Sequence, residues 1–195
     1  RLGGYNPPSD WPQGFAGIRP LGDDRFSFAA EPVEASLRFD FYVYWMHMRT
    51  NPGGGFWGND FLQDSTVVAP VDRWACVEVM ARMNDPLGAH TGELALWMDG
   101  REIIHLAPGT PRGEWIWDSF FPNPTCVPAG PCDPLGTGTR CCEDFEGFQW
   151  RTFDALAINW VSLQHYVTGD PAGYVGHVWF DDVVVATDYV GPICP

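Results

Sequence analysis

The feature that most constrains the fold of this chain is its cysteine pattern. The 195 residues include six cysteines, and four of these lie in a stretch rich in Pro, Gly and Thr. An even number of cysteines in a loop-rich chain indicates disulfide bonds formed outside a reducing cytosol. Zinc is the alternative, but the C-x5-C and C-C spacings lack the paired C-x2-C of structural zinc sites. We therefore expect a secreted protein with disulfides among Cys76, Cys126, Cys132, Cys141, Cys142 and Cys194.

Two expectations about the pairing follow from the positions of these cysteines. Cys141 and Cys142 should bond to different partners, because a disulfide between adjacent residues is strained. Cys76 and Cys194 are predicted to form the outlying pair, since the other four cysteines are close together in sequence.

Length and charge narrow the class of protein further. A chain of 195 residues suits one domain with a real core, which we assign to residues 1–195 with a Cys/Pro/Gly-rich insertion at about 107–147. The net charge of −14 and pI near 4.4 disfavour nucleic acid as a partner, because such a surface repels phosphate. No apolar run reaches the roughly 20 residues that a membrane span needs.

Strand-like segments separated by turn residues run through the chain, and no segment has a helical period over a helix-length window. The Asp99–Gly100 pair between two of them predicts a β-hairpin. The segments are Ser36–Arg49, Trp74–Asn84, Glu93–Asp99, Glu102–Leu106, Leu156–Val167 and Gly176–Asp188. Several turn-linked strands in one domain predict an all-β fold, an antiparallel β-sandwich with little helix.

Three segments carry a resemblance to a known group of proteins. They read WACVEVMARMN at Trp74–Asn84, GELALWMDG at Gly92–Gly100 and VWFDDVVVATDYVGP at Val178–Pro192. This pattern resembles secreted bacterial jelly rolls of the concanavalin A-like kind, particularly the polysaccharide lyases that act on alginate or glucuronan. The resemblance implies a jelly-roll fold with a concave sheet that binds a glycan, and lyases of the group place Arg, Gln, His and Tyr side chains there.

Alternation within each predicted strand assigns side chains to faces. Four strands then offer a face that mixes polar and aromatic residues, suited to stacking on sugar rings and hydrogen bonding to their hydroxyls. The alternative is the solvated face of a half-buried sheet, with Glu78 and Arg82 as an ordinary surface ion pair. The candidate groove residues are Trp45, His47, Arg49, Glu78, Arg82, Trp97, Gln164 and Tyr166.

Whether such a groove is catalytic is left open by the sequence. Elimination of a uronide needs a group that neutralises the carboxylate, a base and an acid. Arg49 or Arg82, together with Gln164, would neutralise the carboxylate, while His47 and Tyr166 would serve as base and acid. The alternative is that His47 is purely structural. Hydrolysis needs two carboxylates on the groove, and the predicted strands place only a single one there.

Two further functions complete the set of hypotheses. Jelly rolls of this kind often bind Ca²⁺ through a late-strand aspartate, so the resemblance implies a possible calcium site at Asp181 and Asp182, whose oxygen ligands suit the ion. The alternative is that these aspartates simply face solvent.

Self-assembly into a surface structure is the other hypothesis, because exposed apolar patches often mark interfaces.

Overall fold

The computed structural model of the chain describes residues 1–6, 16–33, 37–62, 67–132, 140–167 and 169–192. Within these ranges the protein is all-β and without helix, and hence without a helix able to cross a membrane. The strands are β1 Leu2–Tyr5, β2 Arg25–Val33, β3 Arg38–Tyr44, β4 Asn59–Leu62, β5 Val77–Arg82, β6 Glu93–Met98, β7 Arg101–Leu106, β8 Arg112–Ile116, β9 Ser119–Pro122, β10 Cys141–Asp144 and β11 Trp160–Val161.

The strands form two sheets. The larger has eight strands in the order β10-β8-β9-β4-β3-β2-β1-β11, and the smaller has three in the order β5-β6-β7. All described pairs are antiparallel except β4 with β9, which run parallel. The all-β architecture expected from the sequence is confirmed.

Both sheets contribute to one apolar core, which makes the fold sandwich-like. Alternate residues of β6 are buried in this core, as are alternate residues of β2 and β3. A segment after β10 adds further rings, of which Phe148 and Trp150 stack with centroids 4.2 Å apart. The largest buried side chains of the core are Trp45, Trp150, Phe26, Phe28, Phe41, Phe61, Phe120, Phe145, Phe148, Met48, Leu94 and Leu96.

The hairpin predicted at Asp99–Gly100 is confirmed. β6 and β7 pair on either side of it, and Asp99 and Gly100 both have positive φ, as this tight turn requires. The predicted strand Trp74–Asn84 is also found, shortened to β5. The predicted strand Ser36–Arg49 ends early, at Tyr44, because the chain turns at Trp45 and the Met48 N–H bonds to the Trp45 carbonyl.

Two predicted strands near the C-terminus are largely absent. Of Leu156–Val167 only Trp160–Val161 is a strand, and Gly176–Asp188 contains no described strand. Strand propensity alone does not make a strand, which needs a hydrogen-bonded neighbour along its length. Most of Gly176–Asp188 has no such neighbour among the described residues, and its apolar side chains are exposed: Val178, Trp179, Phe180, Val183, Val184 and Val185.

The stretch 107–147, expected to be an insertion, contributes β8, β9 and β10 to the larger sheet. Trp115 and Phe120 from this stretch enter the core, and so this part of the chain belongs to the sandwich. Its disulfides are Cys126–Cys142 and Cys132–Cys141, and the adjacent cysteines therefore bond to different partners as predicted.

The remaining disulfide prediction is partly outside the described residues. Cys76 is disulfide-bonded, whereas Cys194, its predicted partner, lies beyond the described ranges. No cysteine in the described part of the chain is free.

Candidate functional site

The smaller sheet exposes a polar and aromatic surface on the side away from the core. Leu94, Leu96 and Met98 of β6 point into the core, so the residues between them point outward. We call this surface the outer face. It is made of Glu78, Met80 and Arg82 of β5, Glu93 and Trp97 of β6, and Glu102 and His105 of β7, with the fully buried Ala95 between them.

The strand register determines which residues of the outer face are neighbours. Glu78 lies opposite Trp97, and Arg82 lies opposite Glu93, across the β5–β6 pair. On the other side of β6 the register shifts between Leu96 and Trp97, which places His105 opposite Ala95. Directly opposed side chains interact most strongly in a sheet. The outer face therefore has an aromatic end, formed by Glu78 and Trp97, and a charged end, formed by Arg82, Glu93 and His105.

Three side chains form a hydrogen-bonded network at the charged end. Arg82 Nη1 donates to Glu93 Oε1 and His105 Nε2 donates to Glu93 Oε2, each at 3.0 Å. The Glu93 side chain is 18% exposed, that of His105 37% and that of Arg82 68%. Glu93 is thus held at the base of the network, while Arg82 and His105 present hydrogen-bonding atoms to solvent.

The aromatic end is built around Trp97 and Glu78. Trp97 is half-buried, and its ring packs against Tyr189 with centroids 5.3 Å apart. The two carboxylate oxygens of Glu78 accept hydrogen bonds from the backbone N–H groups of Val190 and Gly191, at 2.9 and 3.0 Å. Glu78, Arg82 and Trp97, which the sequence placed on one face, do share it.

Trp45 does not belong to this surface, and its assignment as a groove residue is wrong. Its side chain is fully buried in the core, and its Nε1 donates to Asn59 Oδ1 at 3.1 Å. The face of β3 that carries Phe41 and Val43 points inward, because both side chains have no exposed area. Trp45 continues this inward face. Alternation therefore grouped Trp45 correctly with Phe41 and Val43, but the face that they share points into the core and not towards a groove.

His47 lies in a different cluster, at the turn that follows β3. Its Nε2 donates to Gln149 Oε1 at 2.8 Å, and its ring lies 4.7 Å from that of His90. The Gln149 amide is oriented by donating to the Leu87 carbonyl. His47 therefore carries its proton on Nε2 when neutral, and Nδ1 is the basic atom.

Arg49, Gln164 and Tyr166 are also away from the outer face. Arg49 is buried, donates to Glu143 at 2.8 Å and lies over the Trp115 ring. Gln164 and Tyr166 are exposed and follow β11 without belonging to a strand. The structure thus separates Arg82 from the other four predicted catalytic residues.

Asp181 and Asp182 lie in the exposed segment before the C-terminus. Asp181 accepts the backbone N–H of Asp182 at 2.9 Å. Ca²⁺ requires six to eight oxygen ligands, and these two aspartates do not meet a third acidic, His or Cys ligand in the described part of the chain. The group found there, Cys132, Cys141 and Glu143, has its two sulfurs in a disulfide. These aspartates do not fit a preformed site, and calcium binding stays a prediction.

On the side facing away from the core, the larger sheet carries two acidic residues, Asp40 and Asp60, that sequence reasoning did not single out. Asp40 is 1% exposed, and its Oδ1 has no hydrogen-bond partner among the described residues. Burial, followed by the charges of Asp60 and Glu31, raises the pKa of Asp40 to about 9. Burial, followed by the charge of Asp118, raises the pKa of Asp60 to about 6. Asp40 is therefore protonated at neutral pH, and its burial keeps it from contact with a ligand in solution.

Sequence reasoning missed Glu93 and His105 of the outer face. Glu93 could have been found, because alternation places it with Trp97 in the same strand. His105 could not, because the register shift between Leu96 and Trp97 is not visible in the local sequence.

Comparison of the chain with protein families, with curated proteins and with solved structures found no match.

Proposed function

We propose that the protein is a secreted carbohydrate-recognition domain that binds a glycan on the outer face of the smaller sheet. The observation that carries the proposal is the half-buried Trp97 on the same face as the network of Arg82, Glu93 and His105. In this proposal the two-sheet sandwich is a jelly roll, and the disulfides fit an extracellular location.

The chemistry of the face suits a sugar. An indole ring offers a flat apolar surface on which the C–H face of a pyranose can stack. Guanidinium and carboxylate groups form strong directional hydrogen bonds with hydroxyls, because one partner is charged. Trp97 would bind one sugar ring, while Arg82 and His105, at the other end of the face, would bind a neighbouring sugar unit of the same glycan.

The position of Glu93 adds preorganisation. With Glu93 only 18% exposed and bonded to both neighbours, Arg82 and His105 are held in one geometry before a ligand arrives. Preorganised groups lose less entropy on binding. Glu78, opposite Trp97, supplies a carboxylate acceptor beside the stacking ring.

A glycan-array screen of the purified domain, run with and without Ca²⁺, tests this proposal and the calcium prediction together. We expect binding to at least one class of neutral or uronate-containing glycan, and loss of that binding in Arg82→Ala. Absence of binding to every glycan under both conditions would contradict it.

The second candidate is a polysaccharide lyase that acts on uronate-containing glycans, and the His47 cluster favours it. The hydrogen bond to Gln149 leaves His47 Nδ1 as a defined base, and His90 lies against the same ring. Incubation with polyuronides, followed through the ultraviolet absorbance of the unsaturated product, tests this candidate. Activity that disappears in His47→Ala would establish it over binding alone.

The third candidate is self-assembly. The exposed apolar side chains that flank Asp181 and Asp182 in Val178–Val185 favour it, because exposed apolar patches often mark an interface. A molecular mass in solution that rises with protein concentration would support assembly.

A further inference from the structure

A short C-terminal segment crosses the aromatic end of the outer face. We call Tyr189–Pro192 the strap. Its first residue packs its ring on Trp97, and its next two residues donate backbone N–H groups to Glu78. Its last residue lies at the hairpin turn, where a Cβ on Gly100 would come within 3.0 Å of Pro192 Cγ. The strap therefore runs from Trp97 over Glu78 to the turn between β6 and β7.

The strap satisfies the groups that a sugar would use. The Tyr189 ring lies against Trp97, where a pyranose ring would stack. Two N–H donors occupy both carboxylate oxygens of Glu78, as two hydroxyl donors of a glycan would. A ligand and the docked strap therefore cannot both occupy the aromatic end.

The contacts of the strap with the described residues are partly exposed to solvent. Tyr189 remains 56% exposed and Val190 43% exposed. The run Val178–Val185 that leads to it has exposed side chains and no described strand. Segments with few buried contacts and solvent-exposed hydrogen bonds open locally at low cost in free energy. Tyr189, Val190 and Gly191 can therefore move off Trp97 and Glu78 without unfolding the sandwich, while the predicted Cys76–Cys194 disulfide would keep the strap tethered beside β5.

We propose that the strap is an autoinhibitory element, which occupies the glycan site through Tyr189 and Glu78 and is displaced when a glycan binds. This inference rests on the proposed function, because the competitor of the strap is the glycan. The charged end, with Arg82, Glu93 and His105, stays accessible while the strap is docked. A glycan would thus first engage the charged end and then replace Tyr189 on Trp97.

The test uses a release variant, Tyr189→Ala combined with Val190→Pro, which removes the ring and one N–H donor. Its matched control is Tyr174→Ala, since Tyr174 is also exposed, at 62%. Wild type, release variant and control are all screened on the glycan array, and affinities are compared for a glycan that any of them binds. If the strap competes, the apparent affinity of the wild type is reduced by the fraction of molecules that are open, and the release variant should bind about fivefold more tightly. The control should bind as the wild type does.

Hydrogen exchange supplies a second readout that does not depend on affinity. In the ligand-free wild type we expect protection of the Gly191 amide, and we expect saturating glycan to remove it. Rapid exchange of this amide without ligand would overturn the docked strap. Protection that persists in the complex would overturn the displacement of the strap by the glycan. Equal affinity of wild type and release variant would overturn the autoinhibition alone. No binding by either would overturn the proposed function and this inference with it.

Discussion

Arg82 and Glu93 lie directly opposite each other on β5 and β6, and the guanidinium donates to the carboxylate at 3.0 Å. The Arg82 side chain is 68% exposed, so the ion pair should contribute at most about 1 kcal/mol to stability. The pair matters for its position, since it holds a guanidinium on the same face of the sheet as the half-buried Trp97.

Arg82→Ala should therefore affect binding and not folding. We expect the free energy of unfolding to change by less than about 1 kcal/mol, measured by chemical denaturation, while glycan affinity falls measurably. Arg140→Ala is the matched control, because Arg140 is also exposed, at 72%, and pairs with Glu114 of the other sheet. A large loss of stability in Arg82→Ala alone would assign the pair a structural role instead.

Trp45→Ala should affect folding. Removing a fully buried tryptophan leaves a large cavity and removes one of the two hydrogen bonds that the Asn59 oxygen accepts, which should cost about 3–5 kcal/mol of unfolding free energy. Thermal or chemical denaturation measures this loss. A variant that keeps wild-type stability would show that Trp45 is not the core residue described here.

The contrast between Trp45 and Trp97 shows what the sequence could and could not predict. Alternation identifies residues that share a face, and it grouped Glu78 with Arg82 correctly, because both lie within one regular strand. It does not say which face points inward, since that depends on the packing of the second sheet. Trp45 was misassigned for this reason.

Longer-range features were beyond local patterns altogether. The Asp99–Gly100 hairpin was predictable because its two residues alone dictate the turn. The contact of His47 with Gln149 joins residues 102 positions apart, and the pairing of β4 with β9 is parallel and non-sequential. Neither has a local sequence signature, so the His47 cluster and the environment of Asp40 were not foreseen.

Asp40 should make stability depend on pH. Its folded-state pKa of about 9 lies above its ordinary value of 3.8, so between these values the folded chain holds a proton that the unfolded chain has released. The contribution of Asp40 to the free energy of unfolding is therefore largest below about pH 4, and it is lost as the pH rises towards 9.

Asp40→Asn removes this dependence. The unfolding free energy of the variant, relative to wild type, should rise with pH between 4 and 9, by at most about 1.4 kcal/mol per pH unit. Denaturation at a series of pH values gives this difference. Asp23→Asn, at an exposed aspartate, is the matched control. A difference for Asp40→Asn that stays constant with pH would contradict the raised pKa.

The disulfides of the larger sheet should be detectable by peptide mapping. Non-reducing digestion is expected to yield Cys126–Cys142 and Cys132–Cys141 linkages, and titration of the native protein to find no reactive thiol. Because Cys126 and Cys142 enclose the longer loop, Cys126→Ser with Cys142→Ser should cost about 3 kcal/mol, more than removal of the other bond. A Cys141–Cys142 linkage would contradict the pairing.

The most direct test of the central claim is calorimetric titration of Trp97→Ala with a glycan that binds the wild type. Loss of the stacking surface should weaken binding by about 1–2 kcal/mol, and the unfolding transition should remain cooperative. Trp57→Ala is the control, because Trp57 is an exposed tryptophan, at 49%, that lies outside the smaller sheet. Weaker binding in Trp97→Ala alone is the result we predict. Equal affinity with and without Trp97→Ala in the release-variant background, where Tyr189 no longer packs on the ring, would contradict glycan recognition on the outer face.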